Sequence, residues 1–555
     1  MKQIKLTVLF TVLMSMAGVT SFAHDIEAVN ADGVTIYYNF VNDLSELAVT
    51  FRGNTYDEYD DDYTGVVNIP ASVTYNEVTY PVTTIADIAF AFNTGLTSVN
   101  IPNGVTLLGS STFYGCTSLS SFNVPKSLTY IGQMLFYDCH NLTSIEVAEG
   151  NPVYDSRNNC NAIIETATNK LVAGCKTSTV PNTVTSIGDY AFYGSGLSAI
   201  SIPSSVISIP TTAFQYCPNL ISIEVAEGNT VYDSRNNCNA IVETASNILV
   251  IGCKTSTFPN TVTEIGANAF YGCSGLTSIY IGGGVKTIDQ RAFAYCTELA
   301  SLTISPNVTY IQRIAFTFCP KLTKIVVEEG NPNYDSRDNC NAIIDKAENA
   351  VALGCKSTII PTSVSSISKD AFAGCSEMTS IDIPNSISLI NSEAFYGCTA
   401  LSLVNLPENL KIIGKHAFRE CTSLTTITIP KSVESILDNA FRNCYNLKSV
   451  ISKIEEPKDV AAFDVDTNLG YPEIYSNATL YVPVGTTDKY KACEGWKKFL
   501  YINEGTPSGI ETAKSSLATT TKERYTLDGK RLSEPQHGLN IVRMSDGSTR
   551  KVVVK

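Results

Sequence analysis

Seventeen cysteines, four histidines and one run of carboxylates are the residues in this chain that could attack, shuttle a proton or hold a metal. Ten cysteines fall at one recurring position: Cys116, Cys139, Cys217, Cys273, Cys296, Cys319, Cys375, Cys398, Cys421 and Cys444. A structural zinc site needs Cys or His ligands about two to four residues apart, and that spacing is absent. Where the series lacks Cys it has Asn93 and Ser195. All three residue types are small donors, which suits a buried turn whose carbonyls need partners. Buried thiols are therefore expected ahead of disulfides between neighbouring coils or metal ligation.

Six more cysteines form pairs fifteen residues apart: Cys160 and Cys175, Cys238 and Cys253, Cys340 and Cys355. Opposed cysteines on two strands of an exported protein can oxidise, so each pair is either a disulfide or a pair of free thiols. Cys493 is left over. The histidines, His24, His140, His416 and His537, share no motif with an acid or a nucleophile. No G-x-S-x-G, no H-E-x-x-H and no phosphate loop between strand and helix is present. Gly282-Gly283-Gly284 follows a strand but leads into extended chain, which argues against phosphate binding. The acidic run Tyr56 to Asp62 has oxygens for calcium but lacks the glycine-punctuated ligand spacing of a calcium loop, so it reads as a solvated loop. Tyr154-Asp155-Ser156-Arg157 recurs at Tyr232 and Tyr334, which fits a structural turn. No catalytic residue, cofactor or metal is assigned.

Charge narrows the partners. The chain has 39 Lys and Arg against 53 Asp and Glu, a formal charge of −14, and no basic cluster. Nucleic acid is therefore not an expected partner. No stretch after residue 23 approaches the roughly 20 apolar residues of a spanning helix. Lys2, Lys5, the apolar run Leu6 to Val19 and Ser21-Phe22-Ala23 read as a signal peptide over residues 1–23, cleaved before His24. A secreted or outer-surface location follows.

The elements that position these residues are repeats. Phe90, Phe113, Phe136, Phe192, Phe214, Phe270, Phe293, Phe316, Phe372, Phe395, Phe418 and Phe441 mark twelve copies, mostly 23 residues apart. One coil reads L-x-x-I-x-I-P-x-S-V-x-x-I-x-x-x-A-F-x-x-C. Alternation in Leu276 to Ile281 predicts a strand with Ile279 and Ile281 inward. The Pro ends it, V-x-x-I is a second short extended piece, and x-x-A-F-x-x-C is a compact turn. Units this short stack to share one core. Three gaps of 56 residues contain the same 33-residue insertion, at 148–180, 226–258 and 328–360. Each is read as a β-hairpin projecting from or capping the stack. Opposing Cys160 to Cys175 puts Ile163 against Val172, Ile164 against Leu171 and Glu165 against Lys170.

L-x-x-I-x-I-P with A-F-x-x-C at this period resembles the BspA-type leucine-rich repeat family of bacterial and protist surface proteins. The resemblance implies a mainly β, curved, right-handed solenoid with a parallel sheet on the concave side and short 3-10 or turn segments on the convex side. It also implies adhesion to host proteins or other cells. The expected organisation is an N-terminal β cap over 24–84, repeats over 85–450, a C-terminal cap over 451–504, a linker over 505–522 and a small β tail over 523–555. The tail is similar to sorting domains that direct exported proteins to the surface of some Gram-negative bacteria.

Outward strand residues make a small, hydroxyl-rich face, and Asn100, Asn123, Glu146, Glu224, Tyr280, Asp382 and Asn405 are its candidate ligand contacts. The expected function is a non-catalytic, exported adhesin or interaction protein that contacts a host extracellular or other cell-surface protein. The alternative is binding of a surface glycan.

Overall fold

Parallel pairing at one coil's distance is the rule through the repeats. The computed structural model describes residues 24–53, 62–465 and 474–506, and the strands Thr521–Tyr525, Arg531–Leu532, Gly538–Met544 and Thr549–Val554. The signal peptide, nearly all of the acidic run and most of the linker lie outside the described residues.

Each coil contributes two strands to two separate columns. In the long-strand column, Ser278–Ile281 pairs with Ser301–Ile304 and that with Lys324–Val327, so Ile279, Leu302 and Ile325 align inward. The short column is built from V-x-x-I: Glu264–Ile265, Thr287–Ile288 and Tyr310–Ile311 align in parallel. The chain is a β-solenoid of stacked parallel sheets. Between short strand and turn sits the marker phenylalanine. Between modules its ring stacks on the next coil's, at centroid separations from 4.7 Å (Phe270 to Phe293) to 5.9 Å (Phe113 to Phe136). Offset aromatic pairs at such distances add stability beyond the area they bury.

The turn around most marker phenylalanines is held by two left-handed residues. Arg291 (φ 53°) and Tyr295 (φ 60°) flank Phe293, and His416 (φ 58°) and Glu420 (φ 62°) flank Phe418. Side chains other than Gly and Asn adopt this region only when their surroundings enforce it. Here backbone bonds between coils do so: Phe293 N–H donates to Ala315 O at 2.8 Å and Tyr295 N–H to Thr317 O at 3.0 Å.

The ends differ from the middle. Gly65–Asn68 already pairs in parallel with Leu96–Asn100, and Val78–Ile85 with Leu107–Leu108. The segment read as an N-terminal cap thus contains the first rung of both columns. At the other end Phe463 stacks on Phe441 at 5.2 Å, a thirteenth marker beyond the twelve read from the sequence. Trp496, Tyr490 and Phe499 close the core behind it, and Thr479–Val482 and Tyr501–Glu504 extend the long-strand column.

Phe293 has no exposed surface and touches rings on both sides. Phe293→Ala is expected to cost about 3–5 kcal/mol, and Ser301→Ala, on the outward face, no more than about 0.5 kcal/mol. Urea denaturation of the two variants measures both; equal losses would reverse the inward and outward faces.

Candidate functional site

The outward face of the long strands carries every candidate contact. Asn100, Asn123, Glu146, Glu224, Tyr280, Asp382 and Asn405 are all exposed. Pairing brings some of them together: Asn123 lies beside Glu146, and Asp382 beside Asn405. Asn100 is partly spoken for, because its amide donates to Asn68 Oδ1 at 2.5 Å and Asn68 donates to Asp32 Oδ2 at 2.6 Å. Tyr280 is 55 % exposed and lies in register with Thr303 and Val326. Its hydroxyl donates to Glu328 Oε2 at 3.3 Å. A Cβ on Gly282 would come within 2.2 Å of the Tyr280 ring, and one on Gly284 within 2.0 Å of Asn260 O. The triple glycine is therefore a packing device: it stands where most coils have Pro and lets the ring lie against the backbone.

The insertions do not project. Their second strand, Lys170–Gly174, pairs in parallel with Ser186–Ile187 and so continues the short-strand column. Both hairpin faces are buried: Ile163, Ala173 and Cys175 join the core before the module, and Cys160, Ala162, Ile164 and Leu171 the core after it. The other two modules repeat this division. Gly174 N–H donates to Ala191 O at 2.8 Å, the bond a marker phenylalanine makes elsewhere. Gly174 thus takes the backbone place of the phenylalanine, and a Cβ there would sit 2.2 Å from the Phe192 ring.

This placement corrects the expected opposition of Cys160 with Cys175, Cys238 with Cys253 and Cys340 with Cys355. A bulge shifts the register between Ile163 and Ile164, so Ile163 faces Ala173, although Ile164–Leu171 and Glu165–Lys170 pair as expected. The same slip occurs in the other two hairpins. Each pair is thereby split between two cores, and all six thiols are free.

The Tyr-Asp-Ser-Arg motif is consumed internally. Arg157 grips Asp155 through Nε at 2.8 Å and Nη2 at 2.7 Å, and donates to Asn169 Oδ1 at 2.8 Å. Ser156 Oγ accepts from Val147 N–H at 3.0 Å. Asn151, just upstream, donates to Pro125 O and Leu128 O and accepts from Val153 and Tyr154 N–H. The residues around Asp233 and Asp335 make the same central contacts. Sequence reading placed this motif in a structural turn, and the bonds show why it recurs.

The repeats are also what a comparison with protein families detects. A model of the BspA type leucine rich repeat region matches six copies over residues 70–170, 156–246, 249–341 and 351–463. The chain belongs to this family. Among solved structures it is similar to a leucine rich cell surface protein of Faecalibacterium prausnitzii (20% identity, TM-score 0.37, 87% of this chain and 96% of that one). It is also similar to a leucine-rich repeat protein of Eubacterium ventriosum (22%, 0.36, 76% and 94%) and to the pneumococcal vaccine antigen PcpA (15%, 0.35, 88% and 100%). No curated protein matches the chain.

In this BspA-type solenoid the repeat cysteines are donors. Cys116, Cys139, Cys217, Cys296, Cys319, Cys398, Cys421 and Cys444 each donate from Sγ to the carbonyl of the preceding coil's marker phenylalanine, at 2.9–3.3 Å. Burial pushes the thiols of Cys139, Cys217, Cys296, Cys319, Cys398 and Cys421 away from thiolate: Cys217 is raised to about 11 and Cys319 to about 12. The thiolate is the nucleophile and the metal ligand, so these residues are held out of both roles. Among the described residues no cluster of His, Cys, Asp and Glu could hold a metal ion, and no helix is long and apolar enough to cross a membrane. The His24 ring lies tilted against Tyr37 with centroids 4.7 Å apart, His140 lies 3.5 Å from Asp138 at the surface, and His537 is outside the described residues. Sequence reading missed one titratable cluster: Asp370, Glu393 and His416 follow one another at the left-handed position before successive marker phenylalanines. Asp370 has only 6% of its side chain exposed, with Lys369 Nζ at 3.9 Å. Burial and then the Glu393 carboxylate raise it to about 7, while Lys369 and Arg313 pull the other way.

Two outcomes follow for these groups. Alkylation of the native, non-reduced protein should find every buried thiol unlabelled and unlinked until denaturant is added, with half-exposed Cys493 reacting first; a Cys160–Cys175 crosslink in the peptide map would overturn the split-face placement. Because Asp370 holds its proton more tightly folded than unfolded, stability should fall as pH rises from about 4 through about 7. Asp370→Asn should flatten that window and leave the variant more stable than the parent at pH 8, read from urea midpoints. An unchanged pH profile would remove Asp370 as its source.

Proposed function

We propose that this family member is an exported, non-catalytic binding protein of the cell surface, and that the outward face of its long strands holds a protein partner. The observation that carries the reading is the face itself. Its side chains stand outside the stacking of the core, and it offers hydroxyls, carboxamides and carboxylates at coil spacing around Tyr280. Tyrosine is among the residues that concentrate binding energy in protein interfaces. The hairpin modules, with both faces buried, leave little to bind with. The host extracellular or neighbouring-cell protein implied by the family resemblance fits this surface. So does export with cleavage before His24 and retention through the 523–555 tail.

A second reading is a surface glycan, favoured by one observation: an aromatic ring 55 % exposed beside Thr303 and Glu328. The full chain, immobilised and presented with extracellular-matrix proteins and with a glycan array, separates the two. Binding to a matrix or cell-surface protein that weakens at least about tenfold on Tyr280→Ala, a truncation loss above about 1 kcal/mol, is the expected result. Retention only on glycans would favour the second reading. Binding that Tyr280→Ala leaves intact would place the site away from this face.

A further inference from the structure

The short-strand column stops one coil early. In the thirteenth coil, marked by Phe463, Glu456-Pro457-Lys458-Asp459 stands where earlier coils have V-x-x-I. Proline has no N–H to donate to a ladder. The segment turns instead to the C-terminal cap: Val460 N–H donates to Glu494 O at 3.0 Å, and Trp496 Nε1 to Lys458 O at 2.9 Å. Ser435–Ile436 is therefore the last strand of a seven-stranded sheet, with a partner on one side only. Ser435 N–H and Leu437 N–H face that partner, bonding Lys411 O at 3.2 Å and Ile413 O at 2.9 Å. Strand alternation then turns the N–H and C=O of Ile436 outward.

Outward lies a groove of about 890 Å³, walled by this edge and by the diverted segment. Its lining has an apolar floor, including Val433, Ile436, Ile454 and Val460, and six carboxylates against two lysines. Lysines outside the lining pair with Glu434, Glu456 and Glu494, and the groove stays net negative. An open strand edge, an apolar floor and acidic walls fit an extended, basic, partly apolar strand.

The chain contains one. We propose that the tail strand Thr549–Val554, Thr-Arg-Lys-Val-Val-Val, docks against the Ser435–Ile436 edge and continues the short-strand sheet. That strand is itself an edge, paired only with Gly538–Met544, and it has Arg550 and Lys551 and no carboxylate. Residues 507–520 connect the cap to the tail, and fourteen residues span up to roughly 50 Å. Tethering gives the tail an effective concentration that a free peptide lacks. Strand addition to an exposed edge supplies main-chain bonds, and the charges select the strand.

Hydrogen exchange of the Ile436 amide in the full chain tests this. The parent is expected to exchange at least about tenfold more slowly than the R550E/K551E double variant. Adding E455R and D459R to that double variant, which swaps the charges across the groove, should restore slow exchange. The restoration separates docking from simple unfolding of the tail. Equal exchange in all three proteins would mean that the tail strand does not cover this edge, and would overturn the proposal. Protection that rises with protein concentration, with a dimer by light scattering, would assign the groove to a second copy and overturn it equally.

Discussion

Most coils of this solenoid pass one carbonyl to the next. The marker phenylalanine's C=O accepts the N–H of the cysteine three residues on, as when Cys116 N–H meets Phe113 O at 3.1 Å. It also accepts the thiol of the following coil's cysteine, as when Cys139 Sγ meets Phe113 O at 2.9 Å. A turn buried in a stack has no water to satisfy its peptide groups, and an unpaired one costs about 1–3 kcal/mol. Cysteine is small enough for the site and has a proton to give. Its recurrence therefore reports a hydrogen-bonding duty at a buried turn.

The same constraint explains the modules. A 33-residue insertion could have looped out, but it is spliced into the short-strand column, with Gly174, Gly252 and Gly354 standing in for marker phenylalanines. Each glycine gives up its side chain so that the next coil's ring can occupy the space; a Cβ would come within 2.1–2.2 Å of it. Cys375 Sγ lies 3.9 Å from Gly354 O, a stretched version of the contact made to phenylalanine elsewhere. The hairpins leave the apolar interior as four main clusters. In a nearest-neighbour solenoid such boundaries are where one cooperative block ends and another begins.

The fold was legible because inward alternation and a fixed phenylalanine period leave few arrangements: Ile279, Leu302 and Ile325 could only face inward together. Outward positions such as Asn123 and Asp382 were legible by the same alternation, without saying what they bind. What stayed hidden was local. The thirteenth marker, Phe463, lacks a following Cys and a preceding V-x-x-I, so no repeat template reaches it. The hairpin bulge leaves no trace in residue type, since Val172 is as good a strand former as its neighbours, yet it moves Cys160 and Cys175 to opposite faces. A one-residue slip in a strand changes the face of everything beyond it. The Asp370–Glu393–His416 series escaped because unrelated residue types share that place only through the left-handed backbone.

The modules also shape what the strand face can do. The long-strand column is interrupted at each one: Ser144–Val147 is not paired with Ala199–Ile202, nor Ser222–Val225 with Ser278–Ile281, nor Lys324–Val327 with Ser380–Asp382. The face is therefore a series of panels, and a ligand lying along it meets a break every few coils. Affinity gathered by many identical weak contacts would suffer at each break. Affinity concentrated in one panel would not. The three-stranded panel Ser278–Ile281, Ser301–Ile304 and Lys324–Val327 lies between two modules, and it contains Tyr280, the one aromatic among the candidate contacts, secured by Gly282 beneath its ring and Glu328 at its hydroxyl. A panel bounded on both sides and built around a held aromatic ring is where this architecture would concentrate recognition.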